Sequence, residues 1–396
     1  MARRLRETEF PIGASATIET LESDPHPLLA QLREHEPVSW LPALGCWLVT
    51  GHELTLQVMR DAATFTVDDR RFSTGQVVGP SMLTLDGAEH GRHRDPFARA
   101  FGLADVRARF DALVRGQTDR LIDAIEPAGC ADLRVALTGP LSVAAVTHAL
   151  GLVDADADDV LAWYAAIVDA VTNVTAGGEV TREGRDAFAA LRSSIERTLD
   201  DGSPSSLLAA AANDGGGLTR AEVVSNAAVL MFGGIETTDG MISNALHHLL
   251  TNPSQLELVE SERSLIGGAV EESLRLEPAA AVIDRYATAD TELGSASICA
   301  RELVRVSIAG ANRDPRIFED PDRFDVRRRG VRRHIAFAHG PHVCIGIHLA
   351  RLEATVAIGR LLDRLLRLRL DPARPSAPSG LVFRKPSSLH VVWDRR

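Results

Sequence analysis

The stretch FAHGPHVCIG, Phe337 to Gly346, sets one cysteine, Cys344, between a histidine-bearing loop and a glycine, just ahead of a long helical run. A thiol in that place can be core filler, a zinc ligand or a nucleophile. Zinc needs further ligands, and a nucleophile needs a base. The other cysteines, Cys46, Cys130 and Cys299, are far away in sequence, and no CxxC occurs. Neither a zinc ribbon nor an iron–sulfur cluster is indicated, and a disulfide framework does not fit so few cysteines. A second stretch able to do chemistry is MFGGIETTDG, Met231 to Gly240. Inside a helix Gly233, Gly234 and Gly240 each cost ~1 kcal/mol relative to alanine. They serve either tight helix packing or the close approach of something flat to the backbone. Glu236, Thr237 and Thr238 put an acid and two hydroxyls into an otherwise apolar helix, which is unfavourable unless they are satisfied. Such a set can relay protons. A third stretch, EESLRLEP, places Glu272 and Arg275 three residues apart on one helix face, where they can pair. An ordinary surface ion pair is the simpler reading of that spacing.

Long helices must position these groups. Thr219 with Glu222 three residues on is a capping-box arrangement, and the apolar pattern continues to Leu250 before TNP stops it at Pro253. Some 32 residues at ~1.5 Å each make a rod of about 48 Å, enough to cross a domain. A further helix is expected over about 255–276, and another from just past Cys344 to about Leu366. Residues 103–200 read as mostly helical, with interruptions at Gly129, Pro140 and Gly151. PVSWLP and CWLVTG read as short strands, as do AVIDRYA, LVRVSI and the tail LVFRKPSSLHVVWD. Residues 66–82 read as a loop leading to a helix start at DGAEHGRHRDPFARAF. The stretch 201–217, rich in Gly, Ser, Pro and Asp, reads as a surface connection. The fold class is mainly α with a small β portion, near 35–60, 280–310 and 370–395, in one domain over 1–396.

Phe337, Gly340, His342, Cys344 and Gly346 fit the pattern FxxGxHxCxG, and here the chain resembles the cytochrome P450 superfamily of haem-thiolate monooxygenases. The Gly-Gly-Ile-Glu-Thr-Thr segment upstream and the Glu272/Arg275 pair between the two motifs fit in order and spacing. ANRDPRIF, PDRFDV and DGAEHGRHR are also similar to the family's sequences. The resemblance spans about residues 24 to 395. It implies the P450 fold, with a long central helix over a haem b and a thiolate loop below. It makes Cys344 the axial iron ligand, shielded by Phe337, with Gly340 and Gly346 letting the backbone run close under the haem and Gly233 and Gly234 beside it. The start of the helix after Cys344, with its free N–H groups, would favour the thiolate. The resemblance gives His90, Arg94, Arg285 and His342 to the haem propionates. It sets Thr237 beside dioxygen and makes Glu236 the deliverer of protons. Glu272 and Arg275 would join Arg328 or Arg329 in a buried network. The substrate pocket would be lined by the loop 66–82, Val229, Gly233, Ala281, Val282, Ile283 and Val382. The chain departs from the family at Ile298–Arg301, ICAR, where a Pro- and Gly-containing turn is usual, and at Ala338, often glycine.

The implied activity is oxidation of a small hydrophobic substrate, of specialised-metabolite or aromatic type, with O2. No dinucleotide fingerprint occurs, so electrons would come from a separate ferredoxin and reductase. Arg327, Arg328, Arg329, Arg332 and Arg333 could dock such an acidic partner, or form a solvated loop. A haem-binding sensor or carrier without turnover is the alternative, and a non-haem helical binding protein with a core cysteine is a third. Over 396 residues the formal net charge is −11, with 45% hydrophobic residues. That balance fits a globular protein and argues against nucleic acid as the main partner. MARRLRETEF lacks the apolar stretch of a signal peptide, and no run is long enough for a membrane span. A cytoplasmic monomer is expected. Among 43 Lys and Arg residues Lys385 is the only lysine, which reads as a genomic-composition bias and not as a functional signal.

Overall fold

The computed structural model describes residues 2–152, 155–175, 178–201, 207–208, 211 and 217–395. Four N-terminal helices, α1 (Ala2–Glu9), α2 (Pro11–Ser15), α3 (Ile18–Ser23) and α4 (His26–His35), precede the strands β1 (Val38–Leu41) and β2 (Cys46–Val49). Helix α5 (His52–Arg60) leads to the short strand β3 (Phe65–Thr66). The stretch expected as a loop then holds a helix, α6 (Ser73–Val78), because Val77 and Val78 are buried and Gly79, at φ 85°, ends the turn. Helices α7 (Gly87–Ala98), α8 (Leu103–Ile125), α9 (Gly139–Leu150), α10 (Ala157–Thr175) and α11 (Arg182–Asp200) follow. Pro140 interrupts nothing: it stands in the first turn of α9, where no N–H is needed, and α9 continues a π-helical turn over Arg134–Thr138. The expected surface connection at 201–217 lies mostly outside the described residues. Those described within it include Leu207, Leu208 and Ala211, which are buried.

The long helix is α12 (Arg220–Thr251), and the Thr219/Glu222 capping box forms with both reciprocal bonds. Its apolar residues join two separate core clusters. Val223 to Ile235 pack with α9, α10 and α11, whereas Met241 to Leu249 pack with α8 and the C-terminal helix. The polar segment Glu236–Gly240 lies between them. The helix expected over 255–276 is two, α13 (Pro253–Ser261) and α14 (Ile266–Leu276), broken at Glu262. There the Ser261 hydroxyl bonds Leu258 O and the Ser264 hydroxyl bonds Glu262, local bonds that compete with the helical ladder.

The main sheet has the order β1-β2-β8-β5-β3, with β5 (Val282–Ala287) antiparallel and β2 parallel to β8 (Leu303–Ser307). A hairpin, β6 (Thr291–Leu293) with β7 (Ala296–Ile298), projects between β5 and β8. The turn after β7 survives the departure at ICAR because Arg301 itself takes the left-handed conformation, at φ 69°. A four-residue helix, α15 (Ile308–Ala311), and a long loop lead to α16 (Ile347–Arg364). The tail forms β9 (Leu366–Leu370), the small pair β10 (Pro378–Ser379) and β11 (Lys385–Pro386), and β12 (His390–Asp394). Strand β12 lies between β9 and β4 (Cys130–Asp132), tying the tail to the end of α8.

Candidate active site

The cysteine loop is held by short backbone contacts. Cys344 N–H donates to Phe337 O at 2.8 Å. Gly340 has φ 74°, and a Cβ there would meet Met59 O of α5 at 2.5 Å, so the close approach that requires glycine is to α5. At Gly346 an added Cβ would meet only Cys344 Sγ, at 3.9 Å. Ala338 stands in the left-handed region, at φ 57°. The Phe337 ring lies under the Arg351 guanidinium at 4.7 Å. Arg351 and His334 both bond Glu271, at 2.6 and 2.9 Å, so α14, the loop and α16 meet at one carboxylate. Burial pushes the Cys344 thiol up, against the Gly346 N–H and the cations Arg94 and Arg351, which pull it down.

A cavity of about 380 Å³ opens onto Cys344. Gly346 and Phe337 line it from the loop, Val229, Gly233, Gly234 and Thr237 from α12, and Val282 and Ile283 from β5. Val382 and Phe383 line it from the tail, and Phe72, Thr74 and Met82 from α6 and its flanks. Ala281, expected in this wall, is elsewhere. It is buried among α2–α4 and β2 side chains, with its N–H on Val382 O, while Ala279 and Ala280 face the cavity instead. The three glycines of α12 divide by role. An added Cβ at Gly233 meets nothing within 4 Å, at Gly234 it meets Val146 of α9 at 2.5 Å, and at Gly240 Ala279 at 2.8 Å. Gly234 and Gly240 serve packing; Gly233 leaves space.

Thr237 faces the cavity, its hydroxyl donating to Gly233 O at 2.5 Å. Glu236 does not line the cavity. It pairs with Lys385 at 2.7 Å and accepts from the Tyr164 hydroxyl of α10. Burial and the neighbouring Glu236 carboxylate raise the Tyr164 hydroxyl's pKa. Beside them Asp239 accepts from Arg134, Thr138, Ser243 and Lys385. Burial opposes its charge, but Lys385 and Arg134 prevail and hold its pKa down.

At the cavity's other polar end, Arg285 is buried, and its one hydrogen bond among the described residues goes to Asp284 O. Burial pushes its pKa down to about 10. His90 Nε2 is buried without a partner among the described residues, and burial, with His342 and Arg94 nearby, lowers its pKa to about 4. His90 and His342 pack ring on ring at 4.3 Å. His342 Nε2 pairs with Asp86 at 2.7 Å. Burial would raise the Asp86 carboxyl, yet His342, Thr66 and the Val67 N–H together hold it well below the usual range. Arg94 donates to Val343 O at 2.6 Å and lines the cavity.

Glu272 and Arg275 are fully buried and bonded twice, at 2.8 Å each. Of the two candidate loop arginines, Arg328 bonds Glu272 at 2.8 Å. Sequence reasoning passed over Asp86, Tyr164, Glu271 and Glu353. Glu353, on α16, lines the cavity fully buried, and its Oε2 has no partner among the described residues. Lys385 did carry a signal, as the only lysine of the chain.

Residues 179–389 match the family described as Cytochrome P450. The chain is 34% identical to the cytochrome P450 monooxygenase PikC of Streptomyces venezuelae, across 94% of this chain and 92% of that protein. This chain belongs to the cytochrome P450 family. It is a P450 monooxygenase, an oxidoreductase that incorporates one oxygen atom. Nocardicin C N-oxygenase of Nocardia uniformis subsp. tsuyamanensis is 33% identical, across 97% of this P450 and 98% of its own length. Among solved structures, CalO2 superposes with a TM-score of 0.87 at 28% identity, covering 96% and 99% of the two chains. The family implies a haem-thiolate cofactor. The residues present fit one: among the described residues the buried Arg285 guanidinium makes a single hydrogen bond, to a backbone carbonyl, and the buried His90 Nε2 has no partner, while Gly233 leaves room and the thiol opens onto an apolar slot. Among the described residues, no helix is long and apolar enough to cross a membrane.

Proposed function

We propose that this P450 hydroxylates or otherwise oxidises a small hydrophobic substrate, of the specialised-metabolite or aromatic class, using O2 and electrons from a separate ferredoxin and its reductase. The observation that carries this reading is the single cavity that joins Cys344 to Thr237 and Gly233 and is walled by Val229, Val282, Ile283, Val382 and Phe383. Burying an apolar ligand there contributes roughly 25 cal/mol per Å² of apolar surface. Haem b, held by Cys344 as thiolate, supplies the reductive activation of dioxygen when bound.

The remaining work falls to the chain's own residues. Arg285, Arg94, His90 and His342 bind the propionates; the first and third have donors or acceptors to spare, and Asp86 orients His342. Phe337 keeps water from the sulfur, and Arg351 and Glu271 fix that ring's surroundings. Thr237 already donates to Gly233 O, so its oxygen lone pairs are free to accept a hydrogen bond at the cavity face. Glu236, the residue before Thr237 and outside the cavity lining, would deliver protons toward it. Glu272, Arg275 and Arg328 brace the loop. For an acidic redox partner, Arg328 is engaged in that network and Arg327 is paired with Glu262, which leaves Arg329, Arg332 and Arg333 of the arginine-rich segment.

A reduced carbon-monoxide difference spectrum tests the cofactor, and Cys344→Ser should lose the thiolate-type Soret band. Turnover with a generic ferredoxin system tests the reaction. A thiolate band with no oxygenated product from any ligand that shifts the spectrum would leave a sensor or carrier instead.

A further inference from the structure

Arginine fills every Lys or Arg position except 385, so a lysine there stands against the composition of the whole chain. Its amine lies 2.7 Å from Glu236 and 2.8 Å from Asp239. Its stem lies along α12 where Gly240 has no side chain: an added Cβ would sit 3.5 Å from the lysine Cδ. The two carboxylates are held differently. Asp239 is tied by Arg134, Thr138 and Ser243 as well as by the lysine, and Arg134 in turn bonds Pro386 O and Ser387 O beside it. Glu236 is held by Lys385 and Tyr164. Asp239 is thus a fixed anchor, and Glu236 the member with fewer ties. Thr237, the next residue, faces the cavity while Glu236 faces the ion cluster.

We propose that Lys385 is a positioning residue that holds Glu236 turned out of the cavity, anchored on Asp239, so that Glu236 can serve Thr237 only when the Lys385 bond opens. A compact ammonium with three rotatable donors can keep Asp239 while releasing Glu236, which a planar guanidinium bonded in two places does less readily. The strand that carries Lys385 also connects this clamp to the substrate wall. Phe383, two residues before it, lines the cavity and packs edge-on against Phe232 of α12 at 5.5 Å. The inference rests on the monooxygenase reading for its consequence, but not for its first test.

That first test uses the uniqueness of the lysine. In the full-length haem-loaded protein, ¹⁵N-lysine labelling gives one side-chain amine resonance, and acylation by an activated ester has one side-chain target. Expected are a slowly exchanging resonance and slow acylation of the wild type. In Glu236→Gln the resonance should shift and acylation should quicken, roughly fivefold, as for loss of one partly buried ion pair. An unchanged resonance in Glu236→Gln overturns the proposal. The second test is oxygen consumption without substrate, driven by a ferredoxin system. Lys385→Met should raise it roughly fivefold, Lys385→Arg should bring it back toward wild type, and the rise should vanish in a Glu236→Gln background. A Lys385→Met protein of lower thermal stability but unchanged oxygen leak, or a rise that persists without the Glu236 carboxylate, overturns it as well. If no variant consumes oxygen, the monooxygenase reading falls and the amine resonance still decides the clamp.

Discussion

A carboxyl group buried without a bonding partner is forced toward its neutral form, and Glu353 is in that position. Burial alone raises its pKa well above the ordinary value. The unfolded chain releases this proton in the usual carboxylate range, while the folded chain keeps it. Above that range the unfolded state therefore binds fewer protons, and the group's contribution to stability falls as pH rises toward the folded pKa. Glu353→Gln removes the titration and keeps the shape. The stability gap between variant and wild type, measured by urea unfolding, should grow in the variant's favour from pH 5 to pH 8. A flat difference would mean that the carboxyl titrates alike in the folded and unfolded chain. The glycines of α12 provide a second residue-scale contrast. Gly233→Ala places a methyl in open space, so stability should hold or rise by up to ~1 kcal/mol while ligand-induced spectral shifts weaken. Gly234→Ala drives a methyl to 2.5 Å from Val146 Cγ2, and overpacking of this kind costs about 1–3 kcal/mol. Thermal unfolding of the two variants, side by side, checks both.

At the scale of elements, α14 binds the loops that follow it through two adjacent carboxylates of opposite reach. Glu272 takes Arg275 and Arg328, and Glu271 takes His334 and Arg351. Arg275 also donates to the carbonyls of Asn312, Pro321 and Arg323, so one fully buried side chain organises the loop before the cysteine. Arg275→Met leaves Glu272 with half its compensation, and loss of one partner of a buried pair costs about 3–5 kcal/mol. Urea unfolding should show that loss together with poorer haem retention. Position 301 runs the other way. Arg301 holds φ 69° where a left-handed conformation costs an L-residue roughly 1–2 kcal/mol, so Arg301→Gly should be neutral or stabilising. These cases also show what sequence could tell. The α12 capping box, the Glu272/Arg275 spacing and the cysteine motif are local patterns, and each was legible. The break at Glu262 depends on serine side chains competing with the helix ladder. Helix α6 depends on burial of Val77 and Val78. The partners of Glu236, Glu271 and Asp86 come from residues far away in sequence, which no local pattern encodes.

Across the whole molecule, the cavity is where segments from residue 67 to residue 383 converge, between the two core clusters that α12 joins. Two buried polar groups there are only partly satisfied among the described residues: Arg285, bonded to one carbonyl, and His90, whose Nε2 has no partner. A buried cation only partly matched lowers the stability of the chain alone, and it strengthens the hold on an anionic cofactor that supplies further charge. Haem bound at a thousandfold above its dissociation constant adds about 4 kcal/mol to folding stability. Removing haem should therefore lower the urea midpoint, with hydrogen exchange rising first in the segments that line the cavity. Arg285→Met should act with opposite signs in the two forms. It removes a buried charge that Asp86 and Asp284 offset only in part, so the haem-free protein should become more stable, while the haem-loaded protein should lose cofactor faster to an acceptor such as apomyoglobin. A variant weaker in both forms would mean that Arg285 supports the sheet and not the cofactor, and that the propionates are met by Arg94, His90 and His342 alone.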